Sequence, residues 1–151
     1  MAESLEHLVR ASVALTARVL GEVAPDLTFL QWRALVILGS PGDSNGTSIG
    51  ALASALAMSV SATSRVVRRL ESRGLLDGSR SASDRRVRLV RLSPVGQGLF
   101  DEVMERRRIA LVQVAADIEP GDRQVIDRVA RSFSDGSQAV RSRSFGVLRR
   151  T

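Results

Sequence analysis

Between Ser48 and Leu92 the chain has room for little besides two short helices, a tight turn and a hairpin. Ile49, Leu52, Ala53 and Leu56 recur at helical spacing behind Ser48, a residue type that caps helix N-termini. Ala57-Met58 then leaves space only for a tight turn. Ser59 opens a further helix to about Arg73, closed by Gly74. Its predicted buried stripe is Val60, Thr63, Val66, Val67 and Leu70; its outer face is Ser61, Ala62, Ser64, Arg65, Arg68, Arg69 and Ser72. Two short helices, the second polar and basic outside, predict a helix-turn-helix. Leu75-Leu76 and Val87–Leu92 read as strands flanking a polar tip, Asp77–Arg86, which makes a β-hairpin. The hydrophobic alternation shifts at Val90 and predicts a bulge or an edge strand there.

The flanks are helical. Leu5, Leu8, Val9, Val13, Thr16, Val19 and Leu20 lie on one helical face over residues 4–20, with Gly21 and Pro25 expected to end it. Thr28-Phe29-Leu30-Gln31 has the form of a capping box, and Leu27 and Trp32 have the spacing of a hydrophobic staple. That helix is expected to run to about Leu38, before a loop of turn formers over 39–46. Pro94 can occupy the first turn of the longest helix, about residues 95–117, whose apolar members are Val95, Leu99, Val103, Met104, Leu111, Val114, Ala115 and Ile118. A last helix starts at Pro120 with Val125, Ile126, Val129, Ala130 and Phe133, and a Ser- and Arg-rich tail follows from Ser134.

Charge narrows the function. All 22 basic residues are arginine, and the chain carries a net +6. Residues 59–91 hold nine arginines against Glu71, Asp77 and Asp84, so this segment alone carries the whole excess. A chain with its charge gathered in that way has the footprint of a polyanion-binding protein. The absence of lysine removes Schiff-base chemistry and a phosphate loop ending in Gly-Lys. The absence of cysteine removes disulfides, thiolate metal sites and thiol redox sensing, and one histidine, His7, makes no metal cluster. Gly46-Thr47-Ser48-Ile49-Gly50 has the Gly-x-Ser-x-Gly form of serine hydrolases, but a Pro/Gly loop precedes it and no histidine follows it. Ser48 is better read as a cap. No catalytic set, metal site or cofactor site can be assembled. With no apolar run of 18 residues and no signal-peptide pattern at the N-terminus, no membrane partner is expected and the cytoplasm is the expected location.

The run "S-R-V-V-R-R-L-E-S-R-G-L-L", Asp84-Arg85-Arg86 at the hairpin tip and Leu92-Ser93-Pro94-Val95-Gly96 opening the next helix together resemble the MarR family of bacterial regulators. The Leu27–Leu38 helix also resembles that family's second helix, so the likeness spans nearly the whole chain. It implies a mainly α fold with a small β-hairpin wing: one regulator domain over 1–151, with a winged helix-turn-helix lobe at about 28–93. Dimerisation helices are implied at about 4–20 and 95–135. The function implied is a sequence-specific DNA-binding transcriptional regulator, a homodimeric repressor released by a small aromatic or anionic effector. A constitutive or architectural DNA-binding protein without an effector shares every one of these motifs, and a protein-interaction module built on a winged helix is a further alternative.

The first turns of a recognition helix present side chains to base edges in a major groove about 12 Å wide. Ser59, Ser61, Ala62, Ser64 and Arg65 are expected there, with Arg65 able to make two hydrogen bonds to guanine. Arg68, Arg69 and Arg73 lie further along and suit phosphates, which position without specifying. In the wing, an extended Asp84-x-Arg86 would put both side chains on one face, so that Asp84 braces Arg86 toward a minor groove; Arg85 lies between them. The resemblance assigns Asp-x-Arg the same task. Two positions depart from the family pattern. Gly78 stands where the family usually has arginine, leaving Arg80 to take over a phosphate contact, and Ala57 stands where the inter-helix turn usually has glycine. Arg10, Phe29, Trp32 and Arg33 are the candidate lining of an effector site. The implied operator is a double-stranded pseudo-palindrome.

Overall fold

Capping chemistry sets where the chain turns. In the computed structural model, which describes residues 2–39, 46–82 and 84–132, the first helix, α1 (Ala2–Val23), runs past Gly21. A single glycine costs a helix only about 1 kcal/mol relative to alanine, whereas Pro25 disfavours helical geometry at Ala24. The stop is therefore Pro25 alone, and the Ala24 N–H closes the last turn on the Leu20 carbonyl at 2.8 Å.

Helix α2 (Phe29–Leu38) begins with the expected capping box. Thr28 Oγ1 accepts from the Gln31 N–H at 3.2 Å, and Gln31 Oε1 accepts from the Thr28 N–H at 2.9 Å. Leu27 and Trp32 on either side are buried, and the Trp32 ring stacks on Phe100 with centroids 5.8 Å apart. The loop residues 40–45 lie outside the described residues.

A two-residue strand not foreseen in the sequence, β1 (Thr47–Ser48), leads into α3 (Ile49–Leu56), where Ser48 Oγ accepts from the Ala51 N–H at 3.1 Å. Ser48 thus serves as a helix cap. The chain bends by 105° between α3 and α4 (Val60–Ser72), within the range of helix-turn-helix pairs. Ala57 makes the turn with φ 56°, the left-handed conformation that glycine adopts without strain. Ser59 caps α4, and Gly74 (φ 70°) lies just beyond its end. Thr63, Val67 and Leu70 are fully buried, but Val60 is 56% exposed, against its expected place in the stripe. It stands in the first turn, before α4 has reached the core.

Strands β2 (Leu76–Arg80) and β3 (Arg88–Leu92) form the wing, so β2 extends four residues past Leu76 into what the sequence suggested was tip. The expected disruption at Val90 does not occur. Pairing is one-to-one from Leu76 with Leu92 to Arg80 with Arg88, and β3 is the central strand of a sheet ordered β1-β3-β2. Thr47 pairs with Val90, so the strand taken for an edge has a neighbour on both sides. One face carries Val90, which is buried, and Leu92, which is partly buried, while Leu89 on the other face is partly buried as well.

Ser93 joins the wing to α5 (Pro94–Ala116), with Pro94 as its first residue. The Ser93 hydroxyl donates to the Gly74 carbonyl and accepts from the Gly96 N–H at 3.0 Å, while the Ser93 N–H donates to the Leu75 carbonyl at 3.1 Å. A Cβ on Gly96 would lie 2.0 Å from that same Leu75 oxygen. Only glycine fits at position 96.

The chain divides into two compact units, Met1–Ile109 and Ala110–Thr151. The core of the first gathers Leu35 (α2), Leu52 (α3), Val67 and Leu70 (α4), Val90 (β3) and Val103 (α5). Leu8, Val9 and Val13 of α1, and Val95 and Met104 of α5, were expected on apolar faces and are exposed. In the second unit, Leu111 and Val114, and Val125, Ile126 and Val129 of the helix over 120–132, are exposed as well. Phe133 and the tail lie outside the described residues.

Candidate nucleic-acid interface

Helix α4 presents one polar face along its length. At its start Ser59 Oγ accepts from the Ala62 N–H and lies 3.2 Å from Ser61 Oγ. Four backbone N–H groups at a helix start have no partner inside the helix and carry the positive end of its dipole. Ser59 satisfies one of them with a neutral side chain, so the terminus keeps its attraction for an anion. Ser64 Oγ donates to the Val60 carbonyl at 2.8 Å, which holds this hydroxyl against its own helix. Arg65, Arg68 and Arg69 are exposed, and Ala62 is half-buried. Ser61, Arg65, Arg68 and Ser72, spaced by four, three and four residues, form a single strip. Arg68 Nε reaches the Ser64 carbonyl at a long 3.4 Å.

Arg73, expected on phosphate, donates from Nη1 to the Asp26 carbonyl at 2.8 Å and ties the end of α4 to the loop before α2. Arg80, expected to replace a phosphate contact, donates from Nη1 to the Arg85 carbonyl at 2.8 Å and holds the wing tip closed. The tip is a turn and not the extended segment that the sequence suggested. The Val87 N–H bonds the Asp84 carbonyl at 2.9 Å, and Ser81 bonds Val87 at the same distance. Asp84 does face Arg86, chiefly through the backbone. Its Oδ1 accepts from the Arg86 N–H at 2.9 Å, while the guanidinium Nε lies 3.6 Å away. The Arg86 side chain is 95% exposed, and such a pair contributes about 0–1 kcal/mol.

A further polar contact of this lobe has no sign in the sequence. Glu71, on the last turn of α4, accepts from Arg88 Nη2 with both carboxylate oxygens, at 2.6 and 2.8 Å. The two residues are 17 apart, and only the strand pairing of β2 with β3 brings them together, so no local spacing announces them.

The candidate effector residues are distributed differently. Trp32 is part of the core; Phe29 is 48% exposed at the start of α2. Arg33 Nη2 lies 3.3 Å from the Ala55 carbonyl of α3, and Arg10 pairs with Glu6 one turn back on α1 at 2.6 Å.

A three-stranded antiparallel sheet beside a helix-turn-helix, with a charged hairpin tip, defines a winged helix. Residues 26–87 match the model of the MarR family, so this lobe is similar to that of MarR family proteins. The chain is similar to RV1404 from Mycobacterium tuberculosis, with 28% identity over 89% of this chain and 90% of that one and a TM-score of 0.80. A MarR family protein from Bacillus stearothermophilus has the same fold at 23% identity, 91% and 92% coverage and a TM-score of 0.78. BpsR from Bordetella bronchiseptica, whose DNA binding is regulated by 6-hydroxynicotinic acid, is 27% identical over 89% of this chain and 96% of that one, with a TM-score of 0.58. No curated protein matches the sequence. Among the described residues no group of His, Cys, Asp or Glu could hold a metal ion, and no single helix is long and apolar enough to cross a membrane.

Proposed function

We infer that this chain is a sequence-specific, DNA-binding repressor that works as a homodimer and releases its operator when a small aromatic or anionic molecule binds. The observation that carries the reading is the exposed strip of Ser61, Arg65 and Arg68 on a capped helix whose other face is locked into the core. Arg65 stands in the part of α4 that enters a major groove and suits guanine; Arg68 and Arg69 suit phosphates. Arg85 and Arg86 at the wing tip suit the backbone or a narrow minor groove. Arg73 and Arg80 act one step back, by holding the loop before α2 and the wing tip in place.

Exposed apolar residues support the homodimer. Leu8, Val9 and Val13 on α1, and Val125, Ile126 and Val129 on the helix over 120–132, need cover that a second copy can supply. For the effector, Phe29 and Arg33 offer an exposed ring and a cation one turn apart on α2, with Trp32 behind them and Arg10 on α1. Regulation of BpsR by 6-hydroxynicotinic acid, an aromatic acid, is in keeping with that chemistry. The test is to sequence the DNA fragments that the purified protein retains from a genomic pool containing its own upstream region. One enriched pseudo-palindrome, released by aromatic acids in a titration, is expected. Retention without sequence enrichment contradicts the specific regulator, and enrichment that no aromatic acid reverses contradicts the effector.

A further inference from the structure

Gly78 looked like a gap in the basic wing, at a position where the resemblance implies arginine. The structure shows what fills the space. A Cβ on Gly78 would lie 2.7 Å from Glu71 Oε1 and 3.1 Å from Arg88 Nη2, so the Glu71–Arg88 pair packs directly over the bare backbone of β2. The Glu71 side chain is only 19% exposed and spends both oxygens on one guanidinium, a charge-assisted contact of the stronger kind. One partner belongs to the last turn of α4 and the other to the first residue of β3, next to the tip. Arg88 also faces Arg80 across the ladder, and Arg80 holds the Arg85 carbonyl. The recognition helix, the wing strands and the wing tip are thereby linked in series, through the ion pair, the strand pairing and the Arg80–Arg85 hydrogen bond.

We propose that Glu71 and Arg88 are positioning residues for DNA binding: their ion pair, seated over Gly78, fixes the pitch of the wing against α4 so that Arg86 reaches the duplex together with Arg65. The role rests on the regulator reading. In it Arg88 acts through Glu71, which binds its Nη2 and balances its charge. The clamp also accounts for glycine at 78, because a Cβ there meets Glu71 Oε1 at 2.7 Å and displaces the carboxylate from its seat.

The test is a set of affinities for the selected operator at fixed salt. It uses the parent, Glu71→Gln, Arg88→Gln, Arg86→Ala, and the two doubles that combine Arg86→Ala with each clamp variant. Glu71→Gln removes a negative charge, so diffuse electrostatics alone tightens binding. The clamp predicts the opposite: Glu71→Gln and Arg88→Gln each weaken binding roughly tenfold, as loss of contacts to charged groups does. In the Arg86→Ala background the same changes weaken it about twofold or less, because the contact they position is already gone. A pair that only stabilised the fold would leave the contribution of Arg86 intact, and the costs would multiply. Amide exchange of Ser79 and Val90 should quicken in Glu71→Gln while that of Leu35 stays slow, which shows the wing loosened in a folded protein. Should Arg88→Gln unfold, the Glu71→Gln series decides alone. Glu71→Gln binding as tightly as the parent or tighter overturns the clamp, as does an undiminished tenfold loss in the Arg86→Ala background. A parent that binds no duplex overturns the regulator reading, and the positioning role with it.

Discussion

Two glycines two residues apart in α5 should respond to alanine with opposite signs. Gly96 lies where an added Cβ meets the Leu75 carbonyl oxygen at 2.0 Å, whereas Gly98 has nothing within 4 Å. Real contacts of this kind sit beyond 3 Å, so Gly96→Ala must drive α5 and the Gly74–Leu75 turn apart by more than an ångström. That movement strains the overpacked site by about 1–3 kcal/mol. It also disturbs the three hydrogen bonds of Ser93, to the Gly74 carbonyl, the Leu75 carbonyl and the Gly96 N–H. Ser93 is buried, and losing even two of these costs about 1 kcal/mol each. The expected loss is about 4 kcal/mol, enough to move a urea midpoint by about 2 M at a slope near 2 kcal/mol per M. Gly98→Ala, exposed in a helix interior, should instead gain up to about 1 kcal/mol. Urea unfolding of both variants at one protein concentration makes the comparison clean of association effects. A Gly96→Ala protein within 1 kcal/mol of the parent would refute the close approach on which the joint between wing and α5 depends.

Ala57→Gly should stabilise the protein by about 0.5–1 kcal/mol in the same assay, since a left-handed alanine costs about 1–2 kcal/mol and glycine's extra unfolded freedom takes back part of it. Arg65→Ala should weaken operator binding by about 1–3 kcal/mol and relax preference at one base position, read by competition among operator variants. Asp84→Ala should weaken binding a few-fold although it removes a negative charge, because it frees the Arg86 backbone and guanidinium; tighter binding in a gel-shift titration contradicts that support. Sedimentation at micromolar concentration should give about twice 16.3 kDa, and a folded monomer there contradicts the homodimer.

Local chemistry was legible in the sequence wherever one residue satisfies its own neighbour. The Thr28–Gln31 box, the Ser48 and Ser59 caps and the position of Pro94 appear in the structure as their spacing implied. Reading failed where partners are distant along the chain. Strand β1 is two residues long and has no pattern of its own; it exists because β3 offers it an edge, and that pairing makes β3 central. The charges of Arg73 and Arg80 are visible in sequence, whereas the carbonyls of Asp26 and Arg85 to which each donates are not. The same blindness hid Glu71 and Arg88. The candidate DNA-reading face of α4 was legible because it is the complement of a buried stripe, with Val60 misplaced only because the helix has not yet met the core in its first turn.

If the charge gathered on α4 and the wing is a DNA-binding surface, operator affinity must fall steeply with salt. Each phosphate neutralised contributes a slope of about −0.9 to log K against log salt. Two copies that each place at least Arg68, Arg69 and an arginine of the wing tip on phosphates should give a slope of about −5. A footprint with two protected half-sites roughly 34–36 Å apart should accompany it. Affinity that hardly changes with salt contradicts a DNA-binding surface on α4 and the wing, and a footprint confined to one short asymmetric site contradicts binding by two copies.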